Sequence, residues 1–137
     1  SNIKYSTLDY DGGLGGRDVD AYFERYSGDR YVEAKSPTAE LTKSKIREYI
    51  SGEGNSAQNK YDDLDEEISH NDIRVLEIER RMEDDLTPEG IESTIENQVQ
   101  KIRDKGKSFK IDEIRIVQEG GDLVFIIEDG TITRVQG

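Results

Sequence analysis

The chain has 137 residues, no cysteine, one histidine (His70) and a formal net charge of −12 from 31 acidic and 19 basic side chains. That length suits one domain. The missing cysteine excludes a disulfide framework, a thiolate zinc site and a cysteine nucleophile, and a lone histidine excludes an HEXXH zinc site or a two-histidine acid/base pair. No apolar run approaches the roughly 18 residues that a membrane span needs, so the sequence predicts a soluble domain.

Residues 1–16 read as a flexible lead-in, with glycine at 12, 13, 15 and 16. GGLGG is neither a dinucleotide GxGxxG nor a Walker loop, because no GK[ST] follows. A hairpin comes next. DVDAYFERY (18–26) and RYVEAK (30–35) are rich in strand formers, and SGD (27–29) is the turn between them. Alternation puts Asp18, Asp20 and Tyr22 on one face of the first strand, and Tyr31, Glu33 and Lys35 on one face of the second.

Ser36-Pro37 ends the hairpin. Thr38 reads as a helix cap, with the helix running to about Ile50. After the break at GEGN (52–55) comes a second, strongly acidic helical stretch over 57–69. His70 falls in a loop, and DIRVLEIERR (72–81) reads as a strand. Thr87-Pro88-Glu89-Gly90 starts a further helix, with proline at its first position. Ile91, Ile95, Val99 and Ile102 recur along it at helical spacing, and Gly106 stops it. Strands 112–119 and 122–129 close the chain around Gly120-Gly121, and a turn at Asp129-Gly130 leads into TITRVQ. The order predicts an α/β fold, a central mixed β-sheet flanked by helices.

The hairpin carries the chemistry. Asp20 and Glu33 are brought alongside if the register joins the two polar faces. Two such carboxylates repel, and a divalent cation relieves the repulsion. Mg²⁺ (or Mn²⁺) takes oxygen ligands and keeps several waters, which suits two carboxylates and a substrate phosphate. The Ala34 carbonyl is a further candidate ligand, and Lys35 a candidate to orient or deprotonate an attacking water. On the next helix, Lys43, Lys45 and Arg47 are candidate phosphate contacts, and Lys43 and Arg47 share a face at i,i+4. Tyr22 and Tyr31 flank the site and can stack on a base or simply pack.

The stretch GRDVDAYFERYSGDRYVEAKSP (16–37) resembles the metal-binding hairpin of the PD-(D/E)XK, or restriction-endonuclease-like, superfamily. There a strand carrying Asp is followed by a turn and a strand carrying Glu-x-Lys. By that match Asp18 takes the place of a preceding Glu, and Asp20 is the metal-binding aspartate. The resemblance implies a restriction-endonuclease-like core, metal-dependent phosphodiester hydrolysis and a nucleic-acid substrate, DNA ahead of RNA. The family core also begins with a helix before the hairpin. The glycine-rich lead-in implies that this helix is missing or that the domain is a piece of a longer protein. Small domains of this kind resemble the C-terminal toxin domains of bacterial competition systems. That implies action in the cytoplasm or in a target cell, and a cognate immunity protein as partner.

The charge of −12 points the other way. Nucleic-acid binders normally carry a basic footprint. An acidic, non-catalytic interaction domain, such as an immunity protein or a nucleic-acid mimic, is the alternative from another class, with the hairpin charges as ordinary cross-strand pairs.

Overall fold

The computed structural model describes residues 4–10, as backbone, and residues 19–136. Asp18 and the glycines of 11–18 lie outside the described residues. The elements are β1 (Lys4–Tyr10), β2 (Val19–Glu24), β3 (Arg30–Lys35), α1 (Lys43–Ser51), α2 (Ala57–Asp63), β4 (Ile73–Glu79), α3 (Pro88–Asp104), β5 (Glu113–Val117), β6 (Leu123–Glu128) and β7 (Thr131–Gln136). β1 falls within the stretch read as a flexible lead-in. It pairs antiparallel with β2, so tertiary pairing outweighs the adjacent glycines.

All seven strands form one sheet in chain order. β3, β4 and β5 run parallel, with α1–α2 and α3 as the crossovers. An antiparallel hairpin flanks this centre on each side. The architecture is α/β with an open mixed sheet, as the order of elements predicts.

Register assigns the side chains to faces. Tyr31, Leu76, Ile78, Ile114, Ile116 and Phe125 enter one core with Ile46 and Ile50 of α1, Tyr61 of α2, and Ile91, Ile95 and Val99 of α3. The alternate positions Arg30, Val32, Val75, Glu77, Glu113 and Arg115 lie on the other face of the sheet. The described helices therefore cover one face.

Local chemistry sets the boundaries. α1 begins at Thr42, whose side chain caps the Lys45 N–H at 3.0 Å, and not at Thr38. Leu41 and Ile46 flank that cap, both buried, in the spacing of a hydrophobic staple, which Thr38 cannot offer. α2 stops at Asp63, well short of 69. Continuing it would stack Asp62 on Glu66 and Asp63 on Glu67 at the negative end of the helix dipole. α3 starts on the Thr87 cap with Pro88 at its first turn, as expected.

The hairpin is fixed at its tip. Gly28 has φ +126°, and a Cβ there would meet the Asn71 carbonyl oxygen at 2.1 Å. The Asp29 N–H donates to Asp72 at 2.8 Å, and the Ile73 N–H donates to the Asp29 carbonyl at 2.8 Å. The start of β4 thus clamps the turn and holds β3 in place.

Candidate functional site

In the hairpin, Ala21 stands opposite Val32 and Tyr22 opposite Tyr31. Continuing that register by one step directs Asp20 toward Glu33. There the Asp20 carboxylate accepts the Ala34 N–H at 2.7 Å. That bond uses one carboxylate oxygen and fixes Asp20 beside Glu33.

Glu33 is 2% exposed. Its Oε2 lies 3.0 Å from the Lys35 ammonium. Its Oε1 is 3.5 Å from the Lys60 ammonium but accepts no hydrogen bond. Burial pushes the Glu33 carboxyl above its ordinary range. The Lys35 hydrogen bond works against that shift, and the charge of Asp20 adds to it. A buried carboxylate oxygen without a hydrogen is costly to leave so.

Lys35 is held from both ends. Besides Glu33, its ammonium donates to the Asn55 carbonyl at 2.7 Å, in the turn between α1 and α2. The Tyr49 ring of α1 lies beside it, with Lys35 Nζ at 6.0 Å and Lys45 Nζ at 5.7 Å from the ring centroid. Such distances sit at the outer edge of cation–π attraction.

Of the three basic candidates on α1, Lys45 shares the Tyr49 ring with Lys35, and its ammonium donates to Glu48 at 3.2 Å. Lys43 packs near Gly90 at the start of α3. Arg47 lines a shallow groove with Gln98 and Lys101. The i,i+4 pair Lys43/Arg47 is therefore turned toward α3, away from the hairpin. The cations Lys105, Lys107 and Lys110, which precede β5, lie at the opposite end of the parallel strands from Lys35. Tyr31 is buried in the core, and the Tyr22 hydroxyl donates to Asp29 at 2.8 Å, so both rings pack instead of standing free to stack.

Sequence reasoning missed Lys60 and Tyr61. Both sit on α2, where the acidic run dominates the reading. The fully buried Tyr61 hydroxyl shares its hydrogen between the carbonyls of Val75 (2.7 Å) and Tyr31 (2.9 Å), pinning α2 across β3 and β4. This anchor delivers Lys60, one residue earlier, to Glu33. The available signal was a single cation one turn after the Ser56 cap, in a stretch otherwise acidic.

The donor set fits a hard cation. Asp20 and Glu33 are oxygen donors side by side, and Glu33 Oε1 is buried and lacks a hydrogen-bond donor. Among the described residues no group of three or more His, Cys, Asp or Glu is placed to hold a metal. Two carboxylates suit Mg²⁺ or Mn²⁺, which retain waters, and not a cation needing an all-protein cage. No described helix is long and apolar enough to cross a membrane. Comparison with protein-family models, curated proteins and solved structures gave no match.

Proposed function

We propose that this domain hydrolyses phosphodiester bonds in nucleic acid with Mg²⁺ or Mn²⁺ held by Asp20 and Glu33. The observation that carries the reading is the buried, hydrogen-bond-free Oε1 of Glu33 beside a second carboxylate, with Lys35 at 3.0 Å. The order of hairpin, helix, strand, helix and strand also agrees with a restriction-endonuclease-like core.

When bound, the cation lowers the pKa of a coordinated water and polarises the phosphoryl group. Asp20 is oriented by the Ala34 N–H, and the Ala34 carbonyl is the next donor along the strand. Lys35, fixed by Asn55, directs the attacking water and offsets charge on the phosphoryl oxygens. The water oxygen bonds to phosphorus and releases a proton to solvent, the ester bond to the sugar oxygen breaks, and that oxygen takes a proton from solvent. Lys45 and Tyr49 form the adjoining wall for a phosphate of the strand. A DNA substrate, delivery as a toxin and a cognate immunity protein belong to the same proposal.

Incubation with plasmid DNA and with total RNA, with and without EDTA, tests it. The expected result is EDTA-sensitive cleavage that disappears in Glu33→Gln and Lys35→Ala while the circular dichroism stays unchanged. Equal cutting by these variants would remove the site assignment. The net charge of −12 supports a second reading, an acidic non-catalytic partner of a basic protein. It predicts no cleavage with any metal.

A further inference from the structure

Glu33 is flanked by two ammonium groups, one beside each carboxylate oxygen. Lys35 pairs with Oε2 at 3.0 Å and donates to the Asn55 carbonyl at 2.7 Å. Lys60 approaches Oε1 at 3.5 Å without hydrogen-bond geometry. The two lysines come from different elements: Lys35 is part of the hairpin, and Lys60 is carried by the seven-residue helix α2.

We propose that Lys60 is the resident counter-ion of Glu33 and competes with the divalent cation for Oε1. Lys35 stays on Oε2 in both states. This rests on the reading of Asp20 and Glu33 as a cation site and adds its regulation. Glu33 is too buried to stand charged without a partner, so an ammonium covers it until the cation takes over. An ammonium and a dication close to one carboxylate oxygen repel strongly in a site with little water. Entry of the cation therefore displaces the Lys60 ammonium from Glu33. Cation occupancy is set by Lys60 as much as by the two carboxylates. Lys60 is a positioning residue in this scheme, acting through Glu33.

Titration calorimetry with Mn²⁺ tests this on the whole chain, comparing the parent with Lys60→Met, Lys60→Arg and Lys35→Met. Circular dichroism and melting check the fold of each. Removing the competing charge should tighten Mn²⁺ binding by about tenfold in Lys60→Met. Lys60→Arg keeps a cation there and should stay within about threefold of the parent. Lys35→Met should not tighten binding to the same extent, because Lys35 holds the other oxygen. Folded Lys60→Met that binds Mn²⁺ no better than the parent overturns the competition. If the parent binds and cleaves normally in that case, the nuclease reading survives and only the role of Lys60 falls. If neither the parent nor Lys60→Met binds Mn²⁺ at millimolar concentration, the cation site itself is wrong and both ideas fall. If Lys60→Met does not fold, Lys60→Gln is read in its place, with the same tightening expected and unchanged affinity overturning the idea.

Discussion

Among the described residues, two glutamates sit buried on the sheet, and they meet opposite fates. Glu113 on β5 is 4% exposed and lies on the face away from the described helices. Arg30 reaches across β4 and bonds both its oxygens, at 3.0 and 2.8 Å, and Arg115 adds a third contact at 3.3 Å. Burial alone would raise the Glu113 carboxyl, yet Arg30 and Arg115 hold it below its ordinary range. Glu33 is buried as deeply, has two lysines beside it, and is shifted upward. The difference is geometric. A guanidinium fork satisfies both lone-pair directions of a carboxylate, whereas two separate ammoniums leave one oxygen without a hydrogen. The fully bonded pair is structural. The incompletely bonded one is where the proposed cation would bind.

The largest expected effect breaks the comparison on the side of activity. Glu33→Gln should lower metal-dependent cleavage by about a hundredfold or more, since an oxygen ligand charge is lost. Glu113→Gln should leave the cleavage rate per folded molecule unchanged. Plasmid nicking assays on both variants make the test, and equal losses would erase the distinction.

Stability should show the reverse. Arg30→Met leaves Glu113 buried beside Arg115 alone, and removing one partner of a buried pair costs about 3 kcal/mol. Denaturant unfolding measures it. Glu33→Gln should be no less stable than the parent near pH 7, because the fold already disfavours the charged form of Glu33.

The pH dependence sharpens this further. Glu113 is depressed, so its contribution is present above the ordinary carboxylate pKa. It is lost as pH falls through the lowered folded value. Glu33 is raised, so its contribution is present below the ordinary carboxylate pKa and lost as pH rises through the higher folded value. Melting temperatures across pH 3 to 8 should therefore show Glu113→Gln flattening the acid limb. Glu33→Gln should flatten the limb just above the ordinary carboxylate range. Each effect is on the order of a few degrees for a domain of this size.

The smallest effect concerns the wall beside the site. Lys45→Met should weaken nucleic-acid binding by less than about tenfold and reduce the salt slope by about one. Lys43→Met and Arg47→Met should change neither, since both face α3. Fluorescence anisotropy at several salt concentrations separates them.

Much of this molecule was legible in its residues. The hairpin, helix α3 and the β5–β6 hairpin announce themselves through alternation, a Thr-Pro cap and Gly-Gly, because these signals act within a few residues. The pair Asp20 and Glu33 was legible for the same reason, as a hairpin register is local. Residue type alone did not separate Lys43 and Arg47 from Lys45. All three are cations on one short helix, and only its packing against α3 distinguishes them. α2 was read too long because its acidic repulsion at the C-terminus was not weighed against its periodicity.

The sequence by itself determined the order of elements from β2 onward, the α/β class and the placement of Asp20, Glu33 and Lys35 on one hairpin, whereas β1, inside the glycine-rich lead-in, is decided by its pairing with β2. Tertiary structure alone decided how each charge is met. Arg30 and Glu113 are 83 residues apart. Lys60 reaches Glu33 from α2, which Tyr61 pins across the sheet. Contacts of that span leave no periodic trace in a sequence. They arise when the parallel crossovers lay α2 over β3 and bring β5 within a side chain's length of β3. The choice between a satisfied glutamate and a receptive one is made there.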